Sequence, residues 1–199
     1  MGSCSAPGEP INQYALVTYF PDELGCFLDQ LRRDLVLDCT ARSHLSLLPP
    51  RSLSVPQQEA ESQIQRISRL CEPFIVKVGN VAVFPETAVI YLEVVSGARQ
   101  LTSLHDEMSA DALAFVEPFP FHPHITLAQN FAVDTVSSRL DAARARWAEY
   151  KGPREFLLDR VVFVRNSANN RWTDLRSFPL LGVPSTPGRV PESLLSQTY

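Results

Sequence analysis

Apolar positions along the chain recur with two periods, and the switches between them mark out the elements. Tyr14-Ala15-Leu16-Val17-Thr18-Tyr19-Phe20 is a continuous run of strand length ended by Pro21, which predicts a buried strand. Asp22 and Glu23 follow, where negative charge suits the free N–H groups of a helix start, and Leu24, Phe27, Leu28, Leu31 and Leu35 then recur on one helical face. A second helix is expected from about Pro56, with Ala60, Ile64, Ile67 and Cys71 inward, closed by Pro73. Phe74 to Phe84 and Ala88 to Val95 predict a hairpin joined through Pro85-Glu86-Thr87. Gly97 leads into a third helix with Leu101, Leu104, Met108 and Phe115 inward. Asp134 is the expected N-cap of a fourth, whose Val136, Leu140, Ala143 and Trp147 share a face. Two closing strands, Glu155 to Val164 and Arg171 to Leu180, flank an Asn-rich turn from Asn166 to Asn170.

Two further strand-length runs carry polar residues in a matched way. Phe121-His122-Pro123-His124-Ile125-Thr126-Leu127-Ala128-Gln129, read as a strand, projects His124 and Thr126 from one face and gives Ile125 and Leu127 to the other, where a core takes them. Arg42-Ser43-His44-Leu45-Ser46-Leu47-Leu48-Pro49-Pro50-Arg51 repeats the device with His44 and Ser46, and Pro49-Pro50 is expected to stop that strand. The motif His-x-Ser/Thr-apolar thus occurs twice, eighty positions apart. Around it the elements run strand, helix, motif strand, helix, two strands, helix, motif strand, helix, two strands. Apart from the opening strand the order repeats, so the chain is expected to be α+β, with two related lobes rather than the strict alternation of a doubly wound sheet.

At 199 residues the chain is long enough for one substantial domain or two small lobes around a core. Residues 1 to 12 are small, polar and Pro/Gly-containing and are expected to be a mobile end; residues 13 to 182 form the domain; residues 183 to 199, with Pro184, Pro187 and Pro191, are expected to be an unstructured tail. No apolar run approaches membrane-span length and the first residues lack a signal-peptide pattern, so a cytoplasmic protein with no membrane partner is expected. Cys4, Cys26, Cys39 and Cys71 show no Cys-x-x-Cys spacing and read as reduced packing residues. A net charge of −4 argues against a protein that coats long duplex nucleic acid, whose affinity comes from many basic contacts to phosphates; a ligand with few phosphates remains open. Lys77 and Lys151 are the only lysines, and there is no Gly-x-x-x-x-Gly-Lys run, which removes the nucleophile and the phosphate loop of a nucleotide-driven ligase. His122 and His124 lack the His-Glu-x-x-His or Cys clusters of a zinc hydrolase.

If the two halves face each other, two imidazoles and two hydroxyls share one cleft. Imidazole titrates near neutral pH, so one ring accepts a proton while the other donates one, and the hydroxyls hold the non-bridging oxygens of a phosphodiester. This arrangement needs neither metal nor other cofactor. At His44-Leu45-Ser46-Leu47-Leu48-Pro49-Pro50-Arg51 and Pro123-His124-Ile125-Thr126-Leu127 the chain resembles the two-histidine (2H) phosphoesterase superfamily, and the Leu-Pro-Pro-Arg extension is most similar to its 2′-5′ RNA ligase branch. The resemblance covers roughly Tyr14 to Leu181, and Ser46 stands where many members carry Thr, which the pattern admits. It implies two pseudo-symmetric lobes of antiparallel strands with outer helices around a central cleft, and a metal-independent phosphodiesterase acting on 2′-linked phosphate esters, typically opening an RNA-type 2′,3′-cyclic phosphate or reversibly joining 2′-5′ ends. Carried over, His44 and His124 become the acid/base pair and Ser46 and Thr126 the phosphate ligands, with a small cyclic nucleotide or RNA terminus as substrate and a monomer expected.

Either histidine can serve as the acid with the other as the base, and the roles exchange when the reaction reverses. Arg51 and His122 are candidate substrate contacts, although Pro49-Pro50 would equally turn Arg51 to solvent and His122 has no counterpart in the first motif. His105, beside Asp106 and Glu107, is expected on a solvated helix face. Tyr19, Phe20, Phe84, Phe131 and Trp172 are expected in the core rather than as a base-stacking platform. The rival to an enzyme is a regulatory module that binds a nucleotide or RNA end in the same cleft without turnover.

Overall fold

In the computed structural model, which describes residues 8–37 and 39–183, eight strands and four α-helices are set out as two four-stranded antiparallel sheets. The strands are β1 (Pro10–Thr18), β2 (Leu45–Arg51), β3 (Phe74–Val83), β4 (Ile90–Ser96), β5 (His124–Ala128), β6 (Glu155–Leu158), β7 (Arg160–Ser167) and β8 (Trp172–Pro179). The helices are α1 (Asp22–Leu35), α2 (Gln57–Leu70), α3 (Ala98–Met108) and α4 (Val136–Glu149). One sheet runs β2-β1-β7-β8 and the other β5-β4-β3-β6. The α+β class and the two-lobed plan follow, and each motif strand lies on the edge of its own sheet.

The helical stripes bury as their spacing dictates: Leu24, Leu28, Leu31 and Leu35 of α1, Ala60, Ile64 and Ile67 of α2, and Leu101, Leu104 and Met108 of α3 are all core residues. Each packs on an inward sheet face, where Leu16, Leu45, Leu47, Leu92, Ile125 and Leu127 join one continuous core. Gly97 takes φ 83°, a left-handed conformation that joins β4 to α3 with almost no intervening chain; a Cβ there would also collide with the Ile75 carbonyl oxygen at 2.7 Å.

Several boundaries differ from the sequence expectation. Pro10 to Asn12, expected in the mobile end, begin β1: Pro10 lies opposite Ser167, and the Asn12 side chain exchanges two hydrogen bonds with the backbone of Leu53, at 3.0 and 3.1 Å. These residues are exposed, so no apolar pattern announced them. Residues 1–7 and 184–199, which hold the rest of the expected mobile end and tail, lie outside the described residues. β2 continues through Pro49 and Pro50 to Arg51, which an edge strand tolerates because one side of it has no ladder to satisfy. The single strand expected from Glu155 to Val164 breaks at Asp159 into β6 and β7, which enter different sheets and carry the chain from one lobe to the other. The fourth helix is entered through a 3₁₀ turn, Val133–Thr135, with Thr135 rather than Asp134 at the N-cap. Phe115 lies beyond α3 and is exposed, and Cys26 is exposed rather than packed. Among the described residues no helix is long and apolar enough to cross a membrane.

Candidate functional site

Strand register decides which side chains reach the cleft. Opposed residues of an antiparallel pair share a face. Ser46 lies opposite Val17, and Val17 opposite Val162, so these three project together, away from the core that takes Leu45 and Leu47. Val17 and Val162, with Ala15 and Val164, form a small apolar floor separate from the main core. In the second lobe Thr126 lies opposite Tyr91 and His124 opposite Glu93, while Ile125 and Leu127 are buried behind them. β2 and β5 touch, which brings the two polar faces together.

The two histidines are held in the same way. His44 stands one residue before β2 and its Nδ1 lies 2.8 Å from the Arg42 carbonyl oxygen; His124 opens β5 and its Nδ1 lies 2.7 Å from the His122 carbonyl oxygen. A carbonyl oxygen only accepts, so Nδ1 carries the proton in both rings and Nε2 is left with the lone pair in the neutral form. The loop before β2 is fixed to α1: Asp29 accepts the Ser43 N–H at 2.5 Å, and the buried Ser43 hydroxyl donates to the Gly25 carbonyl at 3.2 Å.

Electrostatics set both rings toward the neutral form. Burial pushes His44 below the usual histidine value; the Arg42 carbonyl opposes this, the Arg32 guanidinium adds to it, Asp29 opposes, and repulsion from His124 adds again. Burial likewise lowers His124, against the pull of the His122 carbonyl and with a further push from the His122 ring.

Beside His124 opens a cavity of about 370 Å³ whose wall includes Ser46, Thr126, His124, His122, Phe84 and Phe121. Phe84 stacks on Tyr91 with ring centroids 4.0 Å apart and meets His122 and His124 nearly at right angles, at 5.2 and 5.1 Å. The arrangement places the His124 imidazole and the hydroxyls of Ser46 and Thr126 on the wall of a largely apolar cavity, while His44, two residues before Ser46, is not part of that wall.

A model of the 2′-5′ RNA ligase superfamily matches residues 20–170. The chain belongs to that superfamily. Among curated relatives, the Halalkalibacterium halodurans protein named "Putative phosphoesterase BH1439" is 25% identical over 146 residues, 69% of this chain and 82% of the relative. The Bacillus cytotoxicus protein named "Putative phosphoesterase Bcer98_0945" is 29% identical over the same length and shares. Among solved structures, E. coli LigT in apo form superposes with a TM-score of 0.60 at 19% identity, covering 88% of this chain and 99% of LigT. TT0787 of Thermus thermophilus gives 0.58 at 19% identity, covering 85% and 98%. At such identity these structures share the fold.

In this 2′-5′ RNA ligase superfamily member the other candidate residues fall out unevenly. His122 lies outside β5, is exposed and lines the cavity, so its ring shares the site while its carbonyl orients His124. Arg51 neither meets the cleft nor turns to solvent. It is buried, and it donates to Glu117 at 2.6 Å, to the Leu113 carbonyl at 2.8 Å, to the Pro49 carbonyl at 3.1 Å and to Ser109 Oγ at 3.2 Å. His105 is buried too, not on a solvated face: its Nδ1 is 2.8 Å from the Leu47 carbonyl oxygen, its ring stacks on Phe121 at 3.9 Å, and its Nε2 is 3.6 Å from Glu117. Phe84 belongs to the cavity wall rather than the core, whereas Phe20 is core and Phe131 and Trp172 are partly buried against apolar clusters. Tyr19 donates to Asp174 at 2.6 Å beneath the Arg42 guanidinium, and burial pushes its phenol well above the usual range. Asp29 and Glu117 went unmarked in the sequence, because a lone carboxylate on a helix or in a Pro/Phe-rich loop carries no spacing signal.

Proposed function

We propose that this protein is a phosphodiesterase that acts on 2′-linked phosphate esters and opens nucleoside or RNA-end 2′,3′-cyclic phosphates, with His44 and His124 as the acid/base pair. The observation that carries this reading is the matched pair of Nδ1–H···O=C bonds, which directs the lone pair of each neutral ring to Nε2, with His124 on the same cavity wall as Ser46 and Thr126. One Nε2 takes a proton from water as the water oxygen bonds to phosphorus. The other, protonated, gives its proton to the ribose oxygen as the phosphorus–oxygen bond breaks. The Ser46 and Thr126 hydroxyls donate to the non-bridging oxygens, whose charge grows in the transition state. With a 5′-hydroxyl in place of water the same step forms a 2′-5′ ester as the bond from phosphorus to the 3′ oxygen breaks, and its reversal, with acid and base exchanging roles, regenerates the cyclic phosphate and the 5′-hydroxyl.

The test is product analysis on a panel of 2′,3′-cyclic mononucleotides, cyclic-phosphate RNA ends, 2′-5′ linked dinucleotides and an ADP-ribose cyclic phosphate. Opening of the cyclic mononucleotides to monoesters is expected. Survival of the entire panel, with measurable binding, would favour the non-catalytic nucleotide-binding module instead. The pH profile is a second expected outcome. Both imidazoles lie below 6.5 in the free protein, so at pH 7 the base form is abundant and the protonated acid is scarce. Accordingly kcat/KM should peak on the acid side of 6.5 and fall as pH rises through 7, because each further unit removes about nine-tenths of the remaining acid form. The kcat profile should sit at higher pH, since the bound phosphate anion favours imidazolium. A kcat/KM that rises between pH 6.5 and 8 contradicts the scheme.

A further inference from the structure

The cavity beside His124 has two chemically unlike ends. At one lie Ser46, Thr126 and His124, donors suited to one phosphate. The rest is built from Phe84, Val89, Pro118, Phe119, Pro120 and Phe121. Among the described residues no arginine or lysine lines it; the charged side chains on its wall are Glu86 and Glu117. Glu117 is neutralised by the buried Arg51, but Glu86 is exposed and makes no ion pair among the described residues. Phe119 on its wall is 59% exposed. A largely apolar cavity with a few polar groups at one end suits a ligand, and about 370 Å³ is of the size that holds one small-molecule ring system.

Away from those donors a second phosphate would have to be held by cations, preferably the two-pronged fork of arginine, and it would be repelled by a carboxylate. The remainder of the cavity offers the reverse. It suits a flat, uncharged ring that stacks on an aromatic side chain, and Phe84 presents one: one face is occupied by Tyr91 and the remaining ring surface contributes to the wall.

We propose that the cavity beside His124 receives the uncharged ring of a substrate that bears a single phosphate, and that Glu86 at its mouth turns away ligands that would carry a second phosphate into it. The inference rests on the phosphodiesterase reading above and narrows it: a nucleoside 2′,3′-cyclic phosphate with an otherwise uncharged nucleoside is the preferred ligand class, ahead of 5′-phosphorylated or pyrophosphate-bearing relatives.

The experiment compares three ligands by kcat/KM and by affinity: a nucleoside 2′,3′-cyclic phosphate, methyl riboside 2′,3′-cyclic phosphate, which lacks the base, and the 5′-phosphorylated nucleoside 2′,3′-cyclic phosphate. The first is expected to exceed the second by about tenfold or more, the worth of one stacked ring, and that ratio should collapse toward one in Phe84→Ala. Glu86→Lys is expected to raise the third relative to the first by about threefold to tenfold, less at high salt, as exposed charges do. Equal handling of the first two ligands by the wild type, or a third-to-first ratio unmoved by Glu86→Lys, overturns the proposal. If none of the three is turned over, the phosphodiesterase reading fails, while the affinities still decide the subsite because stacking and charge act on binding alone. Glu86 lies on an exposed loop, so its replacement does not threaten the fold.

Discussion

His44→Ala and His124→Ala should each lower kcat on a nucleoside 2′,3′-cyclic phosphate by about 10²–10⁴-fold, the usual worth of a positioned general acid or base. Affinity for the same ligand should change by less than about tenfold, because the hydroxyls of Ser46 and Thr126 and the apolar cavity remain. The double variant should be little worse than either single one, since one step needs both proton transfers at once and removal of either partner already forfeits the concerted path. Stopped assays give kcat and titration calorimetry gives the affinity. A variant that keeps turnover within tenfold of wild type would remove that histidine from the chemistry. Neither substitution should unfold the protein: both rings sit at the cleft, half-buried, and make one side chain to backbone hydrogen bond each.

Glu117→Ala is expected to be the most destabilising of the single changes considered, by about 3–5 kcal/mol, or a fall of roughly 6–20 °C in melting midpoint for a domain of this size. The Arg51 side chain is 1% exposed, and its pKa already lies below the ordinary value because burial disfavours the charge, with Glu117 as the opposing influence. Removing the carboxylate leaves a guanidinium in the interior with only neutral acceptors at Leu113, Pro49 and Ser109. Glu117→Gln keeps an acceptor oxygen for Arg51 and should recover part of the loss, whereas Arg51→Met combined with Glu117→Gln should recover more, because no charge is then buried. Thermal melts of the four proteins decide it; a Glu117→Ala midpoint within two degrees of wild type would show that the pair contributes nothing. The same pair ties β2 to the loop that forms the cavity wall, so loss of stability and loss of cavity shape should appear together.

Local pattern was enough wherever a residue's environment follows from its immediate neighbours. Alternation of His44 and Ser46 with Leu45 and Leu47, and of His124 and Thr126 with Ile125 and Leu127, assigned one face of each strand to the core and the other to the cleft, and the helical stripes of α1, α2 and α3 buried as spaced. The repetition of the motif carried the two-lobed plan, because equal patterns bury in equal ways. What failed was whatever a distant partner decides. Arg51 beside two prolines reads as a surface cation until Glu117, sixty-six positions on, takes it inside. His105 beside Asp106 and Glu107 reads as solvated until Leu47 and Phe121 close over it. Phe84 reads as core until the fold leaves one side of its ring facing a cavity.

The sequence by itself therefore determined the elements, their buried faces and the residue types available for proton transfer, since these depend on contacts a few positions apart. Tertiary structure alone decided that β6 and β7 part at Asp159 to join different sheets, that the carbonyls of Arg42 and His122 fix the tautomers of His44 and His124, and that the space beside His124 is apolar and acidic. Those outcomes depend on groups brought together from far along the chain, and one-dimensional periodicity holds no record of such meetings.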